Sequence, residues 1–339
     1  MSREKFCISL MALITILLFV AHLFIGSVKI PANQVWNILL GQDEMVRDTW
    51  RFIILESRLP QALTSIMCGM ALAASGLMLQ TIFRNPLAGP SILGIDSGAS
   101  LGVALVMLLC GSSITVGSME IGNYLTITLA AFIGALFIMG LLLYFSSFLK
   151  SDIMLLIVGI MLGYVGTSII SLLSFFSTAE GVHSYIIWGM GSFSGVSMER
   201  LPLFSILISL GIVISLLLVK PLNAILLGDR YAKNLGINVR QTRFYLLIAT
   251  GLLSATTTAF CGPISFLGLT IPHMARLMIV RSDHKLLMPL TLLTGSAISL
   301  LCSIICVLPG EQGIIPLNAV TPLLGAPVIL YVLLHGRRR

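Results

Sequence analysis

The sequence predicts an all-α, polytopic membrane protein with about ten transmembrane helices. Hydrophobic residues make up 57% of the 339 positions and charged residues only 10%, whereas a typical soluble domain carries about 25% charged residues. The mean hydropathy of the whole chain is +1.03, and apolar runs of about 20 residues, the length that crosses a bilayer, recur along it. These observations exclude a soluble globular enzyme and a disordered chain.

Ten apolar segments carry the predicted spans. They are residues 8–28, 59–83, 92–111, 122–146, 153–177, 201–219, 243–261, 264–280, 286–308 and 319–335. The seventh and eighth are separated only by a Gly-Pro break, so nine or eleven spans also fit the pattern. The first segment is longer than the apolar region of a signal peptide and no A-x-A pattern follows it, so we expect a retained anchor.

The basic residues predict the orientation of the chain. With the N- and C-termini cytoplasmic, fifteen of the twenty Lys and Arg residues fall in inner segments and five, among them Lys29, Arg58 and Arg200, in outer ones. This is the bias that the positive-inside rule expects. The net charge of +7 is therefore explained by membrane topology, and no nucleic-acid partner is expected.

We expect a single transmembrane domain over residues 1–339, with three longer connections. The external segment 29–58 mixes charged, polar and aromatic residues, which is typical of short interfacial helices. The segment 178–200 is rich in glycine and aromatic residues and predicts a short helix at the outer face. The internal segment 220–243 predicts one or two short amphipathic helices ending at glycine.

Two short stretches of the sequence read alike. Residues 89–94 (GPSILG) and 262–268 (GPISFLG) each begin a predicted span. Repeated halves are common in transporters, and coincidence explains so short a match equally well.

No motif for covalent or nucleotide chemistry is present. The sequence lacks the P-loop pattern, the H-E-x-x-H zinc pattern and G-x-S-x-G. The six cysteines are scattered, mostly in apolar runs, and the five histidines lie far apart, so structural roles are favoured and no catalytic residue, metal or cofactor is expected. Glu56, Arg58 and Arg276 lie near span ends, and we interpret the span middles as neutral, unlike those of ion-coupled carriers.

These absences favour transport driven by a separate energy source. An ion-coupled secondary transporter of a small organic solute is the main alternative, and it requires ionisable groups inside the membrane. A membrane enzyme requires a catalytic cluster at one face. A passive channel would need no partner ATPase.

Specific residue blocks resemble a known family. The blocks are Arg58-Leu59-Pro60, Gly69, Ser75-Gly76, Gln80, Arg84-Asn85-Pro86-Leu87-Ala88, Leu93-Gly94, Gly228-x3-Ala232-x2-Leu235-Gly236, Pro272-His273-x2-Arg276, Asp283-His284 and Gly325-Ala326-Pro327. Over residues 50 to 335 the chain is similar to the permease family of ABC importers for iron–siderophore chelates, haem and vitamin B12 (FecCD or vitamin B12 permease-like). The resemblance implies the type II ABC importer permease fold.

The resemblance also implies partners and a function. A second permease subunit, usually the same chain in a homodimer and sometimes a different one, would complete the pathway in the bacterial inner membrane. Separate ABC ATPase subunits would supply energy, and a periplasmic or lipid-anchored substrate-binding protein would deliver the cargo. The cargo would be a metal chelate, ferric siderophore first, with vitamin B12 (cobalamin) or haem as alternatives, and the chain itself would not be an enzyme.

Three groups of site residues are implied by the same likeness. ATPase coupling is expected at Gly228, Ala232, Leu235 and Gly236 within 220–243, and the inner gate at Asn85, Pro86 and Leu87 together with Ser151 and Asp152, which follow Lys150. Docking of the binding protein is expected at Arg58.

The chain also departs from the family pattern. In the vitamin B12 member, arginines at the places of Arg58, Gln61 and Val307 face the binding protein. The family often has an Asp about four residues before the arginine of the ninth span, and Ser303 stands at the place of that Asp here. The alternatives for docking are Arg47, Arg51 and Arg200.

Overall fold

A computed structural model describes residues 3–42, 47–109, 120–149, 151–279, 282–308, 310 and 313–335. Within these ranges the chain is mainly helical and contains no strand. Lys150 and Cys110, which is one of the six cysteines, lie outside the described residues, and so does the side chain of Asp152.

Fifteen α-helices follow one another along the described residues. They are α1 (Arg3–Phe24), α2 (Ala32–Leu39), α3 (Asp48–Phe52), α4 (Leu59–Ile82), α5 (Ile95–Ala104), α6 (Glu120–Phe148), α7 (Asp152–Phe176), α8 (Ala179–Gly189), α9 (Leu201–Leu217), α10 (Val219–Leu226), α11 (Asp229–Asn234), α12 (Val239–Cys261), α13 (Leu267–Met278), α14 (His284–Val307) and α15 (Leu317–His335). A π-helical turn over 53–58 joins α3 to α4, and another over 105–109 extends α5.

Each of the ten predicted spans contains one helix. These helices differ in whether they are long enough and apolar enough to cross a bilayer. Six helices are long and apolar enough to cross a membrane, and α9 with α10 makes a seventh if this pair, bent by 47°, is one span. The helices over Ile95–Leu109 and Leu317–Val332 are apolar but shorter, and α13 has only 12 residues with Pro272 inside it. The multi-pass class is therefore confirmed, whereas the count of about ten spans stays a prediction.

The centre of the bundle consists of α4, α12 and α14, which are largely buried, while α1, α6 and α7 expose most of their surface. Small residues make this close packing possible, since lipid offers no hydrophobic drive for helix association. A side chain on Gly69 of α4 would overlap the carbonyl of Gly295 in α14, and one on Gly295 would overlap the carbonyl of Gly69. The glycine spacing therefore serves close contact of the two helix backbones.

The connecting segments gather at the two ends of the bundle as the charge bias predicts. At one end, Arg84 pairs with Asp229, Asn223 bonds to Asp283, and the Cys7 thiol lies near the carbonyl of Met278. We term this the inner end, because the predicted orientation places it in the cytoplasm. At the opposite, outer end, Asn318 donates to the carbonyl of Gly189.

Candidate inner gate and coupling surface

The inner end of α4 closes in a tight turn. The helix ends at Ile82, Arg84 adopts a left-handed φ of 45°, and Pro86 prevents the helix from continuing. The Asn85 side chain accepts a hydrogen bond from the Leu87 backbone N–H at 2.9 Å, which is the bond that asparagine uses to stabilise turns. Leu87 is left 42% exposed, so the turn presents an apolar side chain at the inner end.

The second motif block packs directly against this turn. The Nε2 of His273 in α13 lies 2.7 Å from the carbonyl oxygen of Pro86, and Nε2 carries the hydrogen because a carbonyl only accepts. Arg276 donates to the side-chain oxygen of Gln80, whose amide donates to the carbonyl of Leu269 at 3.0 Å. The two blocks, almost 190 residues apart in sequence, thus form one unit, which we call the α4–α13 junction (Gln80, Pro86, Leu269, His273 and Arg276).

Backbone contact reinforces this junction. A side chain on Gly76 of α4 would overlap the carbonyl of Gly268, and one on Gly268 would lie 2.8 Å from the ring of Pro90. Only glycine fits at such approaches. The junction is therefore held by packing on its outer side and by polar bonds on its inner side.

The two similar stretches noted in the sequence face each other in space. Gly94 and Phe266 both adopt left-handed φ angles, of 76° and 68°, immediately before α5 and α13. A cavity of about 200 Å³ lies between them, lined by residues of both stretches, including Pro90 and Gly268. The two left-handed residues do not correspond in the two stretches, since Gly94 matches Gly268 and not Phe266, so the contact brings the stretches together without deciding between a repeat and coincidence.

The second predicted gating segment lies apart from the first. Ser151 precedes α7 and its carbonyl accepts from the Leu155 backbone N–H at 3.2 Å. Among the described residues no hydrogen bond joins Ser151 to the 85–87 turn. The preceding residues, 146–149, instead line a cavity with Asp229 and Lys233 of α11, so this connection lies beside the predicted coupling segment.

The predicted coupling residues do not all face outward. Leu235 is 57% exposed, whereas Ala232 is fully buried. Gly228 and Gly236 have φ angles of 112° and 78°, and a side chain on either would meet open space. The exposed apolar side chains of this segment are Leu235, which directly follows α11, and Tyr231, 50% exposed, which the sequence argument did not single out.

An ion pair connects α11 to the end of α4. Arg84 Nη2 lies 2.6 Å from Asp229 Oδ1, and both side chains are partly exposed. This pair joins the start of α11 to the turn that the Asn85 side chain stabilises. The pair therefore joins α11 to the turn that leads into the α4–α13 junction.

Arg58, expected to dock a partner, is buried instead. It is 4% exposed and donates to the carbonyls of Leu23 at 2.8 Å, Phe24 at 3.1 Å and Val28. The carbonyls at a helix C-terminus favour a cation, and a side chain on Gly26 would lie 2.6 Å from the guanidinium. In this structure Arg58 holds the end of α1 and the following loop, and does not reach the outer surface.

The other outer residues show which arginines remain accessible. Gln61 lies 3.5 Å from the Ser303 hydroxyl, which also contacts the Nε2 of His22 at 2.8 Å. Arg200 stacks on the ring of Tyr124 at 3.7 Å. Arg47 is exposed beside Trp50, so of the alternative docking arginines Arg47 is among those that a partner would reach.

Sequence reasoning missed one buried acid. Asp96 in α5 is 8% exposed, and its Oδ1 accepts from the hydroxyls of Ser254 at 2.7 Å and Thr258 at 3.0 Å in α12. Asp96 lies near the start of the predicted span 92–111, so it adds a buried ionisable group near a span end and leaves the interpretation of neutral span middles untouched. The only sequence signal was a single Asp between glycines, and the hydroxyls that satisfy it lie almost 160 residues away.

These features define a class of protein: an all-helical, multi-pass membrane permease with a packed junction at its inner end. The chain belongs to the FecCD transport family, whose profile matches residues 14–335. The vitamin B12 import system permease protein BtuC of Klebsiella pneumoniae is 34% identical over 99% of this chain and 95% of its own length. BtuC of Escherichia coli strain HS is 32% identical over 99% of this chain and 96% of its own length.

Solved structures agree with this assignment. An inward-facing conformation of a metal-chelate type ABC transporter matches with a TM-score of 0.82 and 30% identity, covering 97% of this chain and 98% of that one. PsaBC from Streptococcus pneumoniae, in complex with Fab, matches with a TM-score of 0.53 and 15% identity over 88% of this chain and 94% of that one, and shows the fold alone. The chain is a permease of the metal-chelate and vitamin B12 type of ABC importer and not itself an enzyme.

Proposed function

We propose that two copies of this chain form the pathway of an inner-membrane importer that carries a metal chelate, with ATPase subunits at the inner end and a substrate-binding protein at the outer end. The observation that carries the proposal is the connection from the exposed face of α11, through the Arg84–Asp229 pair, to the α4–α13 junction. This connection offers an exposed surface that an ATPase can contact and a series of bonded residues through which a displacement can pass.

The mechanism follows from where the side chains lie. An ATPase that contacts Tyr231 and Leu235 would displace α11, and Arg84 would transmit this displacement to the 84–88 turn. Leu87 on that turn, with Asn85 and Pro86, would open or close the inner end. Ser151 and Asp152 lie at the start of α7, next in sequence to the residues 146–149 that line a cavity with α11. They would form the second part of the gate. No covalent step occurs in this chain.

For the cargo we propose a ferric siderophore, with cobalamin as the second candidate. Cobalamin is supported by the relatives, which are vitamin B12 permeases about one-third identical to this chain. The siderophore is supported by Gln61 and Val307, which stand where the resemblance implies docking arginines in the vitamin B12 member. Identity at this level fixes the class of transporter and leaves its cargo to experiment.

Uptake by cells that express the complete importer tests the function and the cargo together. The permease would be expressed with its ATPase and binding protein in a strain lacking its own importers, and uptake of radiolabelled ferric siderophore and of cobalamin measured. We expect ATP-dependent uptake of the siderophore and none with a hydrolysis-deficient ATPase. Cobalamin uptake alone would overturn the cargo assignment. Uptake that persists without the ATPase and stops when the proton gradient is collapsed would overturn the importer.

A further inference from the structure

Asn318 joins three separate parts of the chain at the outer end. It lies in the first turn of α15, and its Nδ2 donates to the carbonyl oxygens of Gly189 at 3.0 Å and Pro263 at 2.6 Å. Its Oδ1 accepts from the Ser265 backbone N–H at 3.0 Å, and its own backbone N–H donates to the carbonyl of Met190 at 3.1 Å. The end of α8, the break between α12 and α13, and the start of α15 therefore share one residue.

The orientation of this side-chain amide follows from its partners. A carbonyl oxygen only accepts, so the atom that faces Gly189 and Pro263 is the nitrogen with its two hydrogens, and the oxygen faces the Ser265 N–H. Aspartate at this position would keep the acceptor but would place a second oxygen against two carbonyl oxygens. The contact therefore requires an amide and not merely a polar side chain.

The segments that Asn318 joins also meet through their backbones. We call residues 188–192 the outer turn and residues 262–266 the connector. Gly262 has a left-handed φ of 74°, and a side chain on it would lie 2.5 Å from the carbonyl oxygen of Trp188. The outer turn and the connector therefore form one close contact, and the Asn318 side chain bridges it.

The connector ends in a strained turn. Phe266 has a φ of 68° and a ψ of −32°, and the Leu267 backbone N–H donates to the carbonyl of Ser265 at 2.9 Å. This geometry is close to a γ-turn with a positive φ, which is rare and strained, and a bulky residue seldom adopts it. Such strain persists only where the surrounding structure holds it. Here Asn318 bonds to Pro263 and Ser265, which directly precede the strained residue.

Helix α13 extends from the connector to the inner end. It begins directly after Phe266, and its 12 residues span about 18 Å. In its inner half, His273 bonds to the carbonyl of Pro86 and Arg276 donates to Gln80, as part of the α4–α13 junction. A change of backbone conformation in the connector would therefore change how α13 meets that junction.

We propose that Asn318 is a positioning residue for transport: it holds the connector in its strained form against the outer turn, and release of this hold lets α13 move at the inner gate. Alternating access requires the outer and inner ends to change together, and α13 with its connector reaches both. The role in transport rests on the proposed function, whereas the link between the two ends is a property of this chain alone.

Hydrogen–deuterium exchange of the full-length protein in mild detergent tests the link without any partner. We expect Asn318→Asp to speed exchange about five-fold in the outer turn and the connector, since one lost hydrogen bond changes an equilibrium by roughly this factor. Exchange in the 84–88 turn should also become faster. Faster exchange that is confined to the outer turn and the connector would show a local role and overturn the proposal.

A matched control changes another asparagine of the outer end. Asn33 is exposed, and its side chain accepts from the backbone N–H of the next residue. Asn33→Asp should leave exchange unchanged in the outer turn, the connector and the 84–88 turn. If it speeds exchange in the 84–88 turn as much as Asn318→Asp does, the effect is not specific to Asn318 and the proposal is overturned.

A pair of variants at Phe266 decides the matter if Asn318→Asp fails to fold. Phe266→Gly and Phe266→Ala remove the same ring, but only glycine adopts a positive φ without penalty. The left-handed conformation costs other residues roughly ten-fold in an equilibrium. Exchange in the connector and the 84–88 turn should therefore be about ten-fold slower in Phe266→Gly than in Phe266→Ala. Equal exchange in the two variants would show that no strain is held there and overturn the proposal.

The assembled importer tests the role in transport. Uptake per ATP hydrolysed should fall about five-fold in Asn318→Asp, in line with the lost hydrogen bond, and should stay unchanged in Asn33→Asp. Unchanged uptake per ATP in a folded Asn318→Asp importer would overturn the positioning role. A wild type that imports no chelate would overturn the proposed function instead, and the exchange measurements would still decide whether Asn318 links the two ends.

Discussion

The α4–α13 junction and helix α11 lie at the same end of the molecule and are joined by one ion pair, yet they are built in opposite ways. In the junction, Gln80 and His273 are 4% and 6% exposed and bond to the opposite helix or turn. In α11 the flanking glycines face open space, and Tyr231 and Leu235 are half exposed. The junction is shaped by its own packing, whereas the α11 segment presents apolar side chains that a partner can contact.

The largest expected effect comes from filling the junction. Gly76→Leu would drive a side chain into the carbonyl of Gly268, and a backbone atom cannot move aside as a flexible side chain can. Overpacking costs 1–3 kcal/mol and sometimes more, so we expect a destabilisation of roughly 3 kcal/mol and a low yield of monodisperse protein. Gly140→Leu in α6 is the matched control, because a side chain there meets nothing within 4 Å. Equal yields of the two variants would contradict the close packing.

A smaller effect is expected from the polar half of the junction. Gln80→Leu removes the acceptor of Arg276, and leaving a buried or half-buried cation without its hydrogen bond costs about 1–3 kcal/mol. Adding Arg276→Met should recover part of this loss, because the unpaired charge is then absent. Thermal denaturation of both single variants and the double variant measures the coupling. Strictly additive effects would show that the two side chains do not interact.

Much of this architecture was visible in the sequence, and the part that was not has a physical cause. The apolar segments predicted where helices lie, because a run of apolar residues is a local signal. The blocks at 84–88 and 272–276 were singled out by their resemblance to the family. That His273 contacts the carbonyl of Pro86 was not predictable, since the contact depends on how α4 and α13 pack. Docking was expected at Arg58 because the family resemblance implies it, and the resemblance carries no sign of the carbonyls 30 to 35 residues earlier that bond to Arg58 and bury it.

The comparison becomes sharper on α11 itself. Leu235→Glu places a charge on an exposed position, so the free energy of unfolding should change by less than about 0.5 kcal/mol. If an ATPase contacts this face, ATP-driven uptake should fall by roughly ten-fold or more. Ala232→Glu is the contrasting change, because Ala232 is fully buried and an unpaired buried charge disrupts the helix. Circular dichroism and uptake measured together separate the two. Full uptake by Leu235→Glu would place the coupling contact elsewhere.

The ion pair that connects the two regions should matter for coupling more than for stability. The Arg84 and Asp229 side chains are 53% and 39% exposed, and exposed pairs contribute 0–1 kcal/mol. Arg84→Gln should therefore shift unfolding by less than about 1 kcal/mol, and by less still in high salt. ATP hydrolysis that continues while uptake falls would show the mechanical role. The exchange Arg84→Asp with Asp229→Arg should restore uptake, and failure to restore it would argue against transmission through this pair.

The smallest expected effect on uptake concerns Asp283, which ties the start of α14 to α10. Its Oδ1 accepts from the Lys285 backbone N–H at 2.9 Å and from Asn223 at 2.6 Å. The Lys285 N–H, and after it Asn223, lower the pKa of the Asp283 carboxyl. A lowered folded-state pKa means that the stabilisation is complete above the ordinary aspartate pKa of about 3.9 and is lost as pH falls through the lowered value.

Replacing the Asp283 side chain separates charge from capping. Asp283→Ala should cost about 1 kcal/mol at neutral pH, the usual value of a helix cap. Asp283→Asn keeps an acceptor for the Lys285 N–H, so it should cost only a few tenths as much stability as Asp283→Ala. It should also remove the loss of stability that protonation of Asp283 causes at acidic pH. Unfolding of the three proteins followed between pH 7 and pH 3 measures both effects. Because α10 leads into α11, a loss of uptake in Asp283→Ala at neutral pH, without a larger loss of stability, would show that the support of α11 extends to the start of α14. Unchanged uptake would confine the motion to Arg84 and the turn beside it.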